Sequence, residues 1–177
     1  MNALLLTGPP GIGKTTILRK VVANLPTTTL RGFLTDEIRR DKERAGFRLA
    51  PFEGDGALLA HVDSSSLQRV GRYGVEVAAL ERVVESTLIP ADSKALFIVD
   101  EIGKMECFSL RFVEAVSALL DSRQLLVATV ARKGSGFIQL VKERADIELW
   151  EVTGKNRDRM ASDVLSWLAT RRSSSWA

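Results

Sequence analysis

Apolar residues recur along this chain in two different periods. Ala3-Leu4-Leu5-Leu6 is an unbroken apolar run closed by Gly8-Pro9-Pro10-Gly11, the pattern of a strand buried on both faces that ends in a turn. After Lys14 the apolar residues Ile17, Leu18, Val21, Val22 and Leu25 return at spacings of three and four until Pro26, which predicts a helix with one buried stripe. From Leu30 to Val62 the texture changes to short β-type runs, Gly32 to Arg39, Gly46 to Phe52 and Ala57 to Val62, broken by charged or Gly-rich turns. A meander or hairpin is predicted there. Asp63 to Tyr73 is polar and predicts a surface loop, ahead of a helix from Val75 to Leu88 that ends near Pro90.

The second half alternates strand and helix patterns. Ala95 to Val99 reads as another buried strand, Leu110 to Leu120 as a helix, and Leu125 to Val130 as a strand. The basic, Gly-rich stretch Arg132 to Gly136 interrupts before a helix Phe137 to Arg144, a strand Ile147 to Val152, a helix Arg157 to Leu168 and a tail expected to fray from about 171 to 177. No repeat and no linker divides the 177 residues, so a single α/β domain is expected. Its sheet should be mostly parallel and covered by helices on both faces, with the meander as an antiparallel addition.

Composition changes this picture little. Hydrophobic residues make up 45% and charged residues 27%, an ordinary globular balance that excludes wholesale disorder. The 25 Lys and Arg exceed the 22 Asp and Glu by three, a surplus that suits an anionic small molecule and gives no reason to invoke nucleic acid. Cys107 is the single cysteine. It can form no internal disulfide and has no companion at metal-ligand spacing, which fits a reducing cytoplasm. No run approaches the ~20 apolar residues of a spanning helix, so the chain is expected to act off the membrane, as a monomer.

Candidate chemistry changes the picture more. Gly8, Pro9, Pro10, Gly11, Ile12, Gly13, Lys14 and Thr15 fit G-x-x-x-x-G-K-[ST] without departure, and they lie between a predicted strand and helix, where that motif works. The glycines let backbone N–H groups turn toward a β-phosphate, and the helix N-terminus adds its positive dipole end. Lys14 is expected on the β- and γ-phosphates, Thr15 on Mg²⁺, and Thr16 on the α-phosphate or in helix packing. A second motif follows the strand at 95–99, where Val99 leads into Asp100 and Glu101. A terminal strand Asp of this kind holds the magnesium shell, and the adjacent Glu is placed to orient or deprotonate a water.

The segment Asp100-Glu101-Ile102-Gly103-Lys104-Met105-Glu106, together with Gly8 to Thr15, resembles the small nucleoside-triphosphatase family of archaea, bacteria and animals. Gly32 to Arg39, Arg69 to Tyr73 and Val152 to Arg157 are similar to its other segments in the same order. The resemblance implies a phosphate-loop core of the RecA and AAA type, a three-layer sandwich, and hydrolysis of several nucleoside triphosphates with little base preference. It also implies that Asp100 and Glu101 take the metal and water roles, and that Val99 through Lys104 joins the nucleotide-binding region.

Several residues stay open at this level. Arg132 or Lys133 could close on the γ-phosphate or form a solvated basic loop. Asn156 and Arg157 could contact the base or ribose, or cap a helix. Thr35, Glu37 and Arg39 would share one strand face, with Asp36 on the other, and Tyr73 could stack on a base. His61 lacks triad or metal companions and is read as structural. Two rivals to a hydrolase remain, a small phosphate-loop kinase and a nucleotide-driven switch.

Overall fold

The opening apolar run does form a doubly buried strand, β1 (Ala3–Thr7). It leads through the glycine-rich loop into α1 (Lys14–Ala23). The computed structural model describes residues 1–26, 29–89, 95–122 and 124–174. Next come β2 (Leu30–Arg40), β3 (Glu43–Pro51), β4 (Ala57–His61), β5 (Arg69–Val70) and β6 (Tyr73–Val75). After them the chain alternates: α2 (Val77–Thr87), β7 (Leu96–Ile102), α3 (Leu110–Asp121), β8 (Leu125–Val130), α4 (Phe137–Lys142), β9 (Ile147–Glu151) and α5 (Arg157–Ser174).

Among the described residues nine strands join one sheet in the order β5-β6-β4-β3-β2-β7-β8-β1-β9. From β2 to β9 neighbouring strands are parallel, and from β2 outward to β5 they are antiparallel. The expected α/β class holds, with its antiparallel addition. Strand alternation sorts the apolar side chains to two cores. Leu5, Phe97, Val99, Leu126 and Ala128 face a core shared with Val84, Phe112 and Val116 of α2 and α3. Leu4, Leu6, Ile98 and Val127 face the other, with Ile17, Leu18, Val164 and Trp167 of α1 and α5. Both faces are therefore covered, as parallel sheets require.

β2 belongs to both kinds of pairing. Leu30 to Phe33 lie parallel to β7, whereas Phe33 to Arg40 lie antiparallel to β3. At the changeover Gly32 has φ +89°, and a Cβ there would lie 2.1 Å from the Ile98 carbonyl oxygen. Only glycine allows that approach.

Two expectations are corrected. Asp63 to Tyr73 is not wholly loop, because β5 and β6 form a hairpin there. It escapes a pattern reading because each strand is too short to show a period. The tail does not fray at 171: α5 runs on to Ser174, and Arg171 lies 4.1 Å over the Trp167 ring while donating to the Met1 carbonyl at 3.0 Å. The Pro90 boundary and residues 175–177 lie outside the described residues.

Candidate active site

The loop after β1 is shaped by its backbone. The Ile12 N–H donates to the Pro9 carbonyl at 3.2 Å, and Gly13 caps α1 in a left-handed conformation, φ 107°, with no side-chain cap. The first N–H groups of α1 are thus left for an anion. Lys14 is the first helical residue, and its side chain is only 10% exposed. It curls over the loop, with Nζ 3.3 Å from the Gly8 carbonyl and 3.4 Å from Glu101 Oε2.

The acidic pair arrives from β7, separated from β1 by β8. Asp100 is 2% exposed. One carboxylate oxygen accepts from the Thr129 hydroxyl of β8 at 2.6 Å, and the other accepts from the Thr35 N–H of β2 at 3.4 Å. The Thr35 hydroxyl donates to the Asp100 carbonyl, and Thr15 hydrogen-bonds the carboxylate from α1. Three other elements, β8, β2 and α1, therefore fix this one residue. Burial pushes its carboxyl above the usual range, opposed by bonds from Thr129, Thr15 and Thr35 and by the charge of Lys14.

Glu101 is also pushed up, first by burial and then by Asp100, while Lys14 pulls it down. A third acid stands behind it. Glu106 is 5% exposed, and its carboxyl is pushed up to about 8 by burial first and by the charges of Glu101 and Asp100. A Cβ on Gly103 would lie 2.9 Å from Glu106 Oε2 and 3.2 Å from Glu101 Oε1, so the two carboxyl groups flank that glycine. With a value of about 8, Glu106 is mostly neutral at pH 7 and adds little to the repulsion that Asp100 already exerts on Glu101.

A cavity of about 490 Å³ joins these groups. Pro10, Gly11, Gly13, Lys14, Thr15 and Thr16 line its loop end, and Asp100, Glu101 and Lys104 its floor. Val99 and Ile102 are fully buried, so they set the strand that delivers the acids and offer no surface to a ligand. Gly103 accepts from the Cys107 N–H at 3.0 Å, which starts the turn that brings Glu106 back.

The open candidates separate. Lys133 lines the cavity, whereas Arg132 lies 3.5 Å from Glu151. Thr35 and Glu37 line the cavity, Arg39 pairs with Glu37 at 2.7 Å, and Asp36 pairs with Arg19 of α1 on the other face. Asn156 braces its own loop, accepting from the Thr153 N–H and donating to the Glu151 carbonyl, each at 2.8 Å. Arg157 is exposed beside Asp158 at 3.7 Å. Tyr73 packs edge-on against Phe47 at 5.2 Å, and His61 accepts from the Asp63 N–H at 3.2 Å. Sequence reasoning assigned no role to Thr129 or Glu106. The signal for Thr129 was a hydroxyl inside the otherwise apolar run Leu125–Val130, since a buried polar group needs a partner.

The fold and this loop define a phosphate-loop protein of the α/β class. Residues 3–165 match a family model described as NTPase. A nucleoside-triphosphatase THEP1 of Thermotoga sp. (strain RQ2) is 38% identical over 170 residues, covering 96% of this chain and 97% of that protein. The cancer-related nucleoside-triphosphatase homolog of Mus musculus is 32% identical over 183 residues, covering 94% and 96%. The crystal structure of THEP1 from Aquifex aeolicus superposes with a TM-score of 0.85 at 34% identity, covering 94% of this chain and 98% of that one. The chain belongs to the NTPase family.

Proposed function

We propose that this protein hydrolyses nucleoside triphosphates to the diphosphate and phosphate, with Mg²⁺ and little preference among bases. The observation that carries this reading is the 3.4 Å approach of Lys14 to Glu101, which puts a γ-phosphate cation and a general base at one point above the loop. The names of its relatives support the same reaction. Among the described residues no helix is long and apolar enough to cross a membrane, and the half-buried Cys107, its thiol pushed up to about 12 by burial and then Glu106, suits the reducing cytosol.

The donor set fits magnesium. Among the described residues no three His, Cys, Asp or Glu side chains form a metal cage, and one buried carboxylate with one hydroxyl is how a protein shares Mg²⁺ with phosphates. Thr15 and Asp100 would hold it, and when bound it neutralises charge on the β- and γ-oxygens. The loop amides and Lys14 bind and orient the triphosphate. Glu101 accepts a proton from the attacking water, with Lys14 as the charge that opposes the upward push of burial on its carboxyl. Lys133, which lines the cavity with Lys104, would be the further cation that meets charge on the γ-phosphoryl group.

Asn156 is taken up by its own loop, and the sequence holds no N-K-x-D segment that would read guanine. ATP, GTP, CTP and UTP should be hydrolysed within about tenfold of one another, the span of about 1.4 kcal/mol. The decisive variant is Glu101→Gln. It should keep Mg²⁺-nucleotide binding while phosphate release falls by about 10²–10⁴-fold; near-normal turnover would remove Glu101 from the water role.

A further inference from the structure

The cavity of about 490 Å³ takes in the loop end, where the triphosphate would sit, and continues past the acids. An attacking water, at about 30 Å³, needs no wall that far from the loop. The extension has a definite direction. The phosphate loop follows β1, the acids stand on β7, and the remaining walls are supplied by β2, β3, β4 and β5. At about 4.8 Å per strand, the wall on β4 lies roughly 14 Å past Glu101, away from the loop. Phosphoryl transfer is in line, with the nucleophile entering opposite the leaving diphosphate. The side from which a nucleophile must come is therefore this extension.

The extension is built like a small-molecule pocket. Phe47, Leu59, Val70 and Met105 make an apolar wall, and Glu37 and Arg44 stand on it. Phe47 is held rigidly: the Tyr73 ring packs edge-on at 5.2 Å, and the Arg44 guanidinium lies 5.4 Å from its centroid. Arg44 pairs with Glu37, yet its buried Nε–H has no acceptor among the described residues. Apolar walls with a few convergent polar groups are the mark of ligand sites. A flat ring suits the aromatic wall, while a ring N–H and a ring carbonyl would find Glu37 and Arg44 as partners. Water requires none of this.

We propose that this extension is an acceptor subsite for a primary alcohol carried on a flat heteroaromatic ring, a nucleoside being the simplest case, and that the protein transfers the γ-phosphoryl group to it. This rests on the placement of the γ-phosphate between Lys14 and Glu101 argued above. The alcohol oxygen bonds to the γ-phosphorus, and the bond from that phosphorus to the β–γ bridging oxygen breaks, its electron pair leaving on the nucleoside diphosphate. The hydroxyl proton passes to the Glu101 carboxylate and on to solvent. Hydrolysis is then the same reaction with water in the alcohol's place.

The test uses the full chain with Mg²⁺ and γ-labelled ATP, adding adenosine, guanosine, cytidine, uridine or thymidine one at a time. Labelled inorganic phosphate is separated from labelled nucleoside monophosphate. At least one nucleoside should receive label at ten times the enzyme-free rate or more. Phe47→Ala should cut that transfer by tenfold or more while release to water stays within twofold. Glu37→Gln, at the exposed rim, should weaken transfer in the same selective way and keeps the test open if Phe47→Ala does not fold. Label appearing only as inorganic phosphate with all five nucleosides overturns the subsite and leaves hydrolysis standing. Transfer that both variants leave intact overturns its location. If neither product forms, the hydrolysis reading falls as well.

Discussion

The two halves of the sheet are built by different rules. The parallel half, β7 to β9, lies under helices on both faces, and its central strands β1 and β8 are buried along their whole length. The antiparallel half is covered less completely. β2 and β3 carry Glu37, Arg39, Arg40 and Glu43 at exposed positions, and the β5–β6 hairpin closes the edge with five residues in all. The phosphate loop and the acids sit in the doubly covered half, where Asp100 is held by β8, β2 and α1. The wall of the proposed acceptor subsite belongs to the antiparallel half, although Leu59 within it is also part of the core under α2 and α3. On that proposal the chemistry and its acceptor are set by different parts of one sheet.

Truncating the strand that serves both halves should test this most severely. Phe33 is fully buried on β2 and packs against Phe112 at 6.5 Å, so Phe33→Ala should cost about 3–5 kcal/mol, read by denaturant unfolding. A loss under about 1 kcal/mol would mean that the halves are not coupled through β2. Lys14→Ala should lower phosphate release by about 10²–10³-fold, about 3–4 kcal/mol of transition-state binding. Its unfolding midpoint should shift far less than that of Phe33→Ala. Unchanged nucleotide affinity and turnover in this variant would dissolve the assignment of the loop.

Glu106 supplies a pH test of the buried acids. Its folded value, about 8, lies above the ordinary 4.5, so the folded chain binds a proton that the unfolded chain releases between those limits. Stability from this group is fully present below about 4.5 and is lost as pH rises toward about 8, at about 1.4 kcal/mol per unit in the middle of that window. Glu106→Gln titrates no such group. Its stability relative to the parent should therefore climb by roughly 2 kcal/mol between about pH 6 and 7.5, and a constant difference would refute the neutral acid. The smallest effect is expected at Asn156→Ala, which removes two hydrogen bonds of the β9–α5 loop and should cost about 1 kcal/mol with the spectrum of triphosphates hydrolysed unchanged. A shift in base preference would return Asn156 to the nucleotide site.

The parallel half was legible in the sequence because it is doubly buried. Ala3-Leu4-Leu5-Leu6 and Leu125-Leu126-Val127 leave no polar face to confuse the period, and the loop between β1 and α1 is specified by glycines that backbone geometry demands. The acids were legible for the same reason, as charges that end an apolar run. Glu106 and Thr129 were not assigned, since their roles come from contacts across the sheet and through a turn, which no local spacing encodes. The recess walls were hidden as well. Phe47, Leu59 and Val70 lie on three different short strands, and only the antiparallel register of β2 through β6 brings them to one surface. The posture of Lys14 was not legible, because its burial depends on Glu101, far along the chain.

That posture has a consequence for turnover. Lys14 has two partners of its own, a carbonyl and a carboxylate, so an arriving γ-phosphate must take the lysine away from Glu101. The exchange leaves Glu101 without its counter-charge at the moment a substrate is present, when a base is wanted. In the proposed reaction, loss of the γ-phosphoryl group leaves the lysine only the β-phosphate, so Glu101 can compete for it again. On that reading one ion pair resets the site after each round without any movement of the fold.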